Sequence, residues 1–145
     1  MLKPNQPFVL LHHKLSDRPS DKEHWDLCLD LGGVLATWQI LGDPTRPDKP
    51  DKTIHNWPAR RISDHRRAYL EYEGPVSGGR GEVIRVDRGT WRPIEQGPIT
   101  WQVLLEGTLL RGTYRLPAGL EPGEMFQITS EDESAGSDRR VGREA

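Results

Sequence analysis

Short segments in which apolar and polar residues alternate, separated by glycine and proline, dominate this chain. In the segment 24–31, HWDLCLDL, every second residue is apolar, beginning with Trp25. Successive side chains of a strand point to opposite faces of a sheet, so the segment predicts a strand with one apolar and one polar face. The polar face begins with His24 and Asp26. An ordinary solvated surface does not require that pair.

Similar patterns predict strands along most of the chain. They lie at 7–13, 34–41, 82–94, 99–116 and 124–130, and the segment 53–65 is predicted to be strand-like at its end. Segment 82–94 is predicted as a strand, a turn and the start of another strand, and 99–116 as a hairpin that turns near Glu106-Gly107. The segment 66–74 suits one short helical turn or an irregular stretch. Seven or eight short strands with little helix favour a small antiparallel β-barrel, or a sandwich.

The polar stretches between these strands define the extent of the fold. The segments 14–23 and 42–52 are rich in proline and charge and are predicted as loop and extended connector. From residue 131 onward the chain offers almost nothing to bury. We therefore expect one folded domain over 1–130 and a disordered tail over 131–145.

Composition limits the cellular setting. No apolar run approaches the roughly 20 residues of a membrane span, and the first residues do not form a signal peptide. One cysteine cannot form an intramolecular disulfide framework. We therefore expect a soluble cytoplasmic protein with no membrane partner.

Net charge does not by itself identify a partner. The formal charge is −2, but residues 60–92 hold eight arginines against five acids. The planar fork of arginine suits phosphate. On charge alone, an ordinary mixed-charge surface remains the simpler interpretation of this cluster.

Two histidine-containing strands suggest a metal site. Strand alternation places His24 and Asp26 on one face, and the histidines at 12–13 end the preceding strand. Antiparallel neighbours would bring one of these histidines beside His24. Imidazole nitrogen combined with carboxylate oxygen suits Mn, Fe or Zn. Such a site, with open coordination positions, can polarise a phosphoryl oxygen.

Two other residue types offer alternatives. Cys28 would serve as a nucleophile or soft metal ligand beside Asp26, although a small residue in the polar crevice is the simpler interpretation. Trp57, beside Pro58 in the connector, is the tryptophan to test for contact with a substrate. The other four tryptophans sit in strand patterns and are expected in the core: Trp25, Trp38, Trp91 and Trp101.

Taken in order, four segments resemble a known family. They read FVLLHH, HWDLCLDLGGVLATW, DHRRAYLEYEG and GEVIRVDRGTWRP. They are similar to the 3′-phosphoesterase domain of bacterial ligase D, an end-joining repair module usually attached to a DNA ligase. The resemblance implies a small β-barrel with a crevice for a divalent metal, typically manganese, with zinc or another first-row metal as alternatives. It also implies removal of a terminal phosphate or ribonucleotide from DNA 3′ ends.

The resemblance assigns roles to particular residues of this chain. Metal ligands would be His13, His24 and Asp26, with His13 preferred over its neighbour because the preceding strand fixes the register. His65 would contact the scissile phosphate or protonate the leaving oxygen. Tyr69 would help to hold the phosphate.

The chain also departs from the family pattern. Cys28, Gly42 and Trp57 stand where the family has cations. Arg61 lies four residues before His65, so strand parity would place both in one crevice, with Arg60 pointing away. Arg61 is therefore the expected substrate-binding cation.

These expectations support three functions. The first is a metal-dependent 3′-phosphoesterase that acts on primer–template DNA ends in repair. The second is a weakened or inactive module that binds DNA ends or phosphate, or docks on a DNA ligase supplied by a separate chain. The third is a phosphoesterase for another substrate.

Overall fold

Antiparallel strands make up nearly all of the structure. The computed structural model describes residues 5–14, 23–47, 49, 51–52, 54–76, 81–119 and 126–131. The strands in these ranges are β1 Gln6–His13, β2 His24–Asp30, β3 Val34–Ile40, β4 Ile54–Arg66, β5 Gly74–Pro75, β6 Glu82–Gln96, β7 Thr100–Gly107, β8 Arg111–Pro117 and β9 Phe126–Glu131. A 3₁₀ turn spans Arg67–Leu70. It matches the short helical turn predicted within 66–74.

Eight of these strands form a nearly closed antiparallel barrel. The hydrogen-bonded order is β1-β2-β3-β4-β9-β8-β7-β6, and β6 pairs back onto β1. The weakest seam is between β8 and β9, which share two residue pairs, Tyr114 with Ser130 and Arg115 with Thr129. The two-residue β5 adds to the edge of β6. The predicted small antiparallel barrel is therefore confirmed.

The barrel interior is filled from almost every strand. Its buried cluster includes Phe8, Leu27, Trp38, Trp91 and Leu116, and Trp25 and Trp101 pack against it. The indole N–H of Trp38 donates to the carbonyl of Pro117 at 2.7 Å. The core placement predicted for four tryptophans is confirmed. Trp57 is also buried in this cluster, so the suggested contact with a substrate is wrong.

A second apolar cluster lies on the outer face of β1, β2 and β3. We call it the outer cluster, and it consists of Val9, Leu11, Cys28, Leu35, Leu70 and Val83. Its strand residues alternate with those of the interior cluster, and Leu70 of the 3₁₀ turn packs over them. Strand β2 is thus buried on both faces, with Asp26, Cys28 and Asp30 at most 4% exposed. The predicted polar face therefore exists in sequence but is largely shielded from solvent.

Strand β4 contains a bulge between Ile62 and His65. Leu35 pairs with His65 and Thr37 with Ile62, so two residues of β4 oppose one residue of β3. A bulge of this kind changes which face the following side chains occupy. The alternation established before the bulge therefore does not carry through to His65.

The segment VDRGTW, 86–91, holds neighbouring strands together. It lies inside the continuous strand β6, so the turn predicted within 82–94 is absent. A Cβ on Gly89 would lie 2.2 Å from the carbonyl oxygen of Glu106, which explains the glycine. Trp91 donates its indole N–H to the carbonyl of Asp30 at 3.0 Å.

Asp87 shapes the hairpin between β7 and β8. Its carboxylate accepts hydrogen bonds from the backbone N–H groups of Thr108, Leu109 and Leu110 at 2.7–3.0 Å. This turn begins just after the predicted position at Glu106-Gly107. Asp87 thus satisfies three donors that no strand pairing would reach.

Some expectations fall outside this description. The predicted loop 14–23 and the predicted tail 131–145 lie almost wholly beyond the described residues, apart from Lys14, Glu23 and the last residue of β9. No helix within the described ranges is long and apolar enough to cross a membrane.

Replacing Asp87 by alanine should destabilise the barrel. The change removes the acceptor of three backbone donors, of which the Leu110 N–H is buried, and this should reduce the free energy of unfolding by about 3 kcal/mol. Urea denaturation followed by tryptophan fluorescence measures this loss. The exposed Asp51→Ala variant is the control and should stay within about 0.5 kcal/mol of the wild type. Equal stability of the two variants would contradict the role of Asp87 in this turn.

The single thiol should be chemically inert in the native protein. Cys28 is fully buried in the outer cluster, and burial raises the pKa of its thiol well above the usual range. Thiolate is the reactive form, so Ellman's reagent should react on the order of 100-fold more slowly in buffer than in urea. Rapid, stoichiometric reaction of the folded protein would show that Cys28 is accessible.

Candidate metal and phosphate site

Three potential ligands converge at the ends of β1 and β2. His13 pairs directly with His24, and Leu11 pairs with Asp26 on the next outward-facing row. One donor atom from each of His13, His24 and Asp26 lies within 4.8 Å of the other two. The register of two adjacent antiparallel strands therefore brings His13 beside two side chains that lie eleven and thirteen residues further along the chain.

The spacing of these donor atoms suits one first-row metal ion. His13 Nδ1 is 3.1 Å from His24 Nε2, and that nitrogen is 3.5 Å from Asp26 Oδ1. Two ligands at about 2.1 Å from an ion, at angles of about 90° to 110°, are roughly 3.0–3.4 Å apart. Asp26 Oδ1 is buried and has no hydrogen-bond partner among the described atoms. A cation would satisfy it.

The adjacent histidine faces the other way. His12 stacks on Trp25, with ring centroids 4.5 Å apart and the planes 4° from parallel. Its Nε2 contacts the carboxylate of Glu23. Strand alternation thus places His12 and His13 on opposite faces. His13, the histidine preferred from the sequence, is therefore the one that lies beside His24 and Asp26.

His65 and Tyr69 complete a crevice beside the three ligands. His65 Nε2 lies 3.7 Å from Asp26 Oδ2, and its ring is 5.3 Å from that of Tyr69. The crevice has a volume of about 300 Å³. Its lining consists of Leu11, His13, Asp26, Asp64, His65, Arg66, Tyr69, Val76 and Val83. Four of the five predicted catalytic and metal residues therefore line this crevice, and the fifth, His24, contacts two of them.

Charge interactions within the crevice are strong. Burial opposes the ionisation of Asp26, but the close approach of His24 and His65 outweighs it and lowers the pKa of the carboxyl. Conversely, the contact with Asp26 raises the pKa of His65, against the opposing effect of burial. The site thus favours an ionised carboxylate beside a histidine that holds a proton readily.

Arg61 lies away from this crevice. Its guanidinium packs over the rings of Trp38 and Trp101, with centroid distances of 5.3 and 4.7 Å. It donates to the carbonyl of Ala118 at 2.8 Å. The expected shared face of Arg61 and His65 is wrong, because the bulge between them changes the alternation.

Arg60 lies on the face where Arg61 was expected. It pairs with Gln39, which in turn pairs with Asp26 on the outer face. The Nε–H of Arg60 donates to Gln39 Oε1 at 3.1 Å. The bulge therefore reverses the sequence-based assignment of these two arginines.

The departures from the family pattern have structural explanations. Cys28 packs in the outer cluster, where a guanidinium would have to be buried, and Thr37 Oγ1 lies 3.8 Å from its sulfur. Trp57 fills the barrel interior, and the Cα of Gly42 lies close to its ring, since an added Cβ would sit 3.1 Å from it. Cys28, Trp57 and Gly42 therefore have packing roles in this chain, at positions where the family has cations.

Sequence reasoning did not identify the apolar wall of the crevice, and it preferred Arg61 to Arg66 as the nearby arginine. Leu11 and Val83 line the crevice together with Tyr69 and Val76, which pack against the outer cluster. Leu11 shares its strand face with His13, which was a usable signal. Arg66 adjoins His65 in sequence, but alternation along a strand would have turned it to the other side.

Comparison with known proteins agrees with this geometry. Residues 13–117 match the family model of the DNA Ligase D 3′-phosphoesterase domain. A relative from Pseudomonas aeruginosa, the multifunctional non-homologous end joining protein LigD, is 29% identical over 117 residues. The alignment covers 74% of this chain and 13% of that relative, so the chain spans a small part of its length. The chain belongs to the DNA Ligase D 3′-phosphoesterase domain family.

Proposed function

We propose that this protein is a metal-dependent 3′-phosphoesterase that acts on DNA 3′ ends in repair, removing a terminal phosphate or ribonucleotide. The observation that carries the proposal is the convergence of His13, His24 and Asp26 beside His65 and Tyr69. Membership of the 3′-phosphoesterase domain family supports the same reaction class.

The donor set supports a resident divalent ion, and manganese is our first choice. His13, His24 and Asp26 would hold it, leaving open positions toward the crevice. When bound, the ion supplies a Lewis acid that offsets negative charge on a nonbridging phosphate oxygen. Buried Asp26 keeps its charge in a site where burial alone would neutralise it.

The remaining side chains suit a phosphate ester. His65 holds its proton readily because of Asp26, so it can donate a hydrogen bond to the phosphate or a proton to the leaving oxygen. The Tyr69 hydroxyl is a further donor on the same wall. Val76 and Val83 provide an apolar surface for the sugar or base of a terminal nucleotide.

A second candidate function is a binding module without turnover. The observation that favours it is the placement of Arg61, which leaves the crevice with one arginine among the described lining residues. Fewer cations stabilise a developing negative charge less well. Such a module would bind DNA 3′ ends or another phosphorylated partner, and could act with a DNA ligase on a separate chain.

The two neighbouring histidines should differ in metal binding. His13→Ala should weaken Mn²⁺ binding by more than about tenfold, because it removes a ligand. His12→Ala should bind like the wild type, because His12 faces away from the cluster. Isothermal titration calorimetry with MnCl₂ measures both, and thermal melting verifies that each variant is folded. Equal affinity of the two variants would remove the assigned ligand set.

Turnover should depend on Asp26. The wild type should release phosphate from a labelled 3′-phosphate primer–template in Mn²⁺, and Asp26→Ala should reduce the rate by at least about 100-fold, because it removes a ligand and the partner of His65. The exposed Asp51→Ala variant is the matched control and should retain the wild-type rate.

Other outcomes of this assay would distinguish the alternative functions. Tight binding of DNA ends without phosphate release would favour the binding module. Hydrolysis of simple phosphate esters but not of DNA would favour a different substrate. Release that persists in Asp26→Ala would overturn the assigned site.

A further inference from the structure

We propose that Arg66 binds the terminal phosphate monoester and makes the crevice selective for a 3′-phosphate end over a 3′-hydroxyl end. The inference rests on the proposed function, because it names the cation that would hold that substrate. It concerns a residue whose position the strand pattern alone did not predict.

The other nearby arginines already have specific partners. Arg61 is held between Trp38 and Trp101 inside the barrel. Arg67 donates to Asp30, a fully buried carboxylate, at 3.1 Å. Each of these guanidinium groups would leave an unpaired buried group behind if it moved to a substrate.

Arg66 is placed differently. It is the last residue of β4, directly after His65, and its extended backbone, with φ −67° and ψ 145°, precedes the 3₁₀ turn. Arg66 is exposed and is one of the residues that line the crevice containing His13 and Asp26. Among the described residues, no carboxylate lies within ion-pair distance of Arg66.

The local charges also favour an anion at Arg66. The other acid in the lining, Asp64, lies 3.7 Å from Arg61, which offsets its charge. His65 is also present on the same wall. An arginine and a histidine thus line one space.

A monoester is the substrate class that benefits most. A terminal phosphate carries about −1.5 to −2 charges at pH 7, and a guanidinium can contact two of its oxygens at once. A 3′-hydroxyl end offers neither the charge nor the paired acceptors. Arg66 should therefore contribute selectivity between ends, beyond general attraction to DNA.

The test compares binding of two matched primer–templates that differ in the terminal group. Fluorescence anisotropy is measured in EDTA, where metal-dependent turnover cannot occur, at fixed low salt. We expect the wild type to prefer the 3′-phosphate end by about tenfold or more. Arg66→Ala should bind the two ends with about equal affinity. Arg66→Lys should give an intermediate preference, because lysine keeps the charge but lacks the planar guanidinium that contacts two oxygens.

Arg115→Ala is the matched control. Arg115 is an exposed arginine on β8, separated from β1 by β6 and β7 and from β4 by β9. Its loss removes the same charge from the opposite side of the barrel. This variant should retain the wild-type preference, and its general affinity for DNA reports the nonspecific effect of one charge.

The outcomes separate the two proposals. If the wild type prefers the 3′-phosphate end and Arg66→Ala keeps that preference, the role of Arg66 is wrong while the proposed function stands. If the wild type shows no preference and also releases no phosphate in Mn²⁺, the proposed function fails and the role of Arg66 fails with it. In Mn²⁺, Arg66→Ala should raise KM for the 3′-phosphate substrate about tenfold. Its Mn²⁺ affinity should match the wild type.

Discussion

Burial of strand β2 on both faces is the constraint on which the candidate site depends. One face packs into the barrel interior, and the other is covered by the outer cluster under Leu70. This covering leaves Asp26 only 4% exposed at the edge of an apolar patch. A carboxylate in that position retains its charge only if cationic partners lie close to it. His24 and His65 lie within 3.7 Å and are its partners within the described structure.

The outer cluster that covers β2 also excludes thiol chemistry at Cys28. Cys28 lies one outward-facing position from Asp26, yet it is completely buried in the outer cluster. Burial disfavours its thiolate, and the negative charge of Asp26 acts in the same direction. The crevice therefore lies at the edge of the outer cluster, and the polar side chains that can take part in chemistry lie at the ends of β1 and β2.

Strand periodicity predicted much of this fold and part of the site. The alternation in β1 and β2 correctly placed His13, His24 and Asp26 on one face, because regular pairing preserves alternation. The hairpin between β2 and β3 turns at the glycine pair at 32–33, where Gly32 adopts a positive φ of 106°. These features depend on local sequence and on pairing between neighbours. They are the features that a pattern can specify.

The features that were missed depend on contacts distant in sequence. Asp87 and Gly89 looked like turn residues, but Asp87 binds the β7–β8 turn and Gly89 permits a close approach to Glu106. Trp57 looked exposed because it adjoins Pro58, yet the closing barrel buries it. Local propensity favours turns at such residues, whereas tertiary packing decides their environment.

The bulge in β4 links the fold to the distribution of cations. One extra residue between Ile62 and His65 leaves Arg61 facing inward while His65 faces the crevice. Arg61 then stabilises the barrel through aromatic packing and a backbone carbonyl, which are structural roles. A continuous strand would have turned both residues to one side and Arg60 to the other. The bulge therefore places Arg60 instead of Arg61 on the face of His65, and it does so without altering the register of the metal-ligand strands.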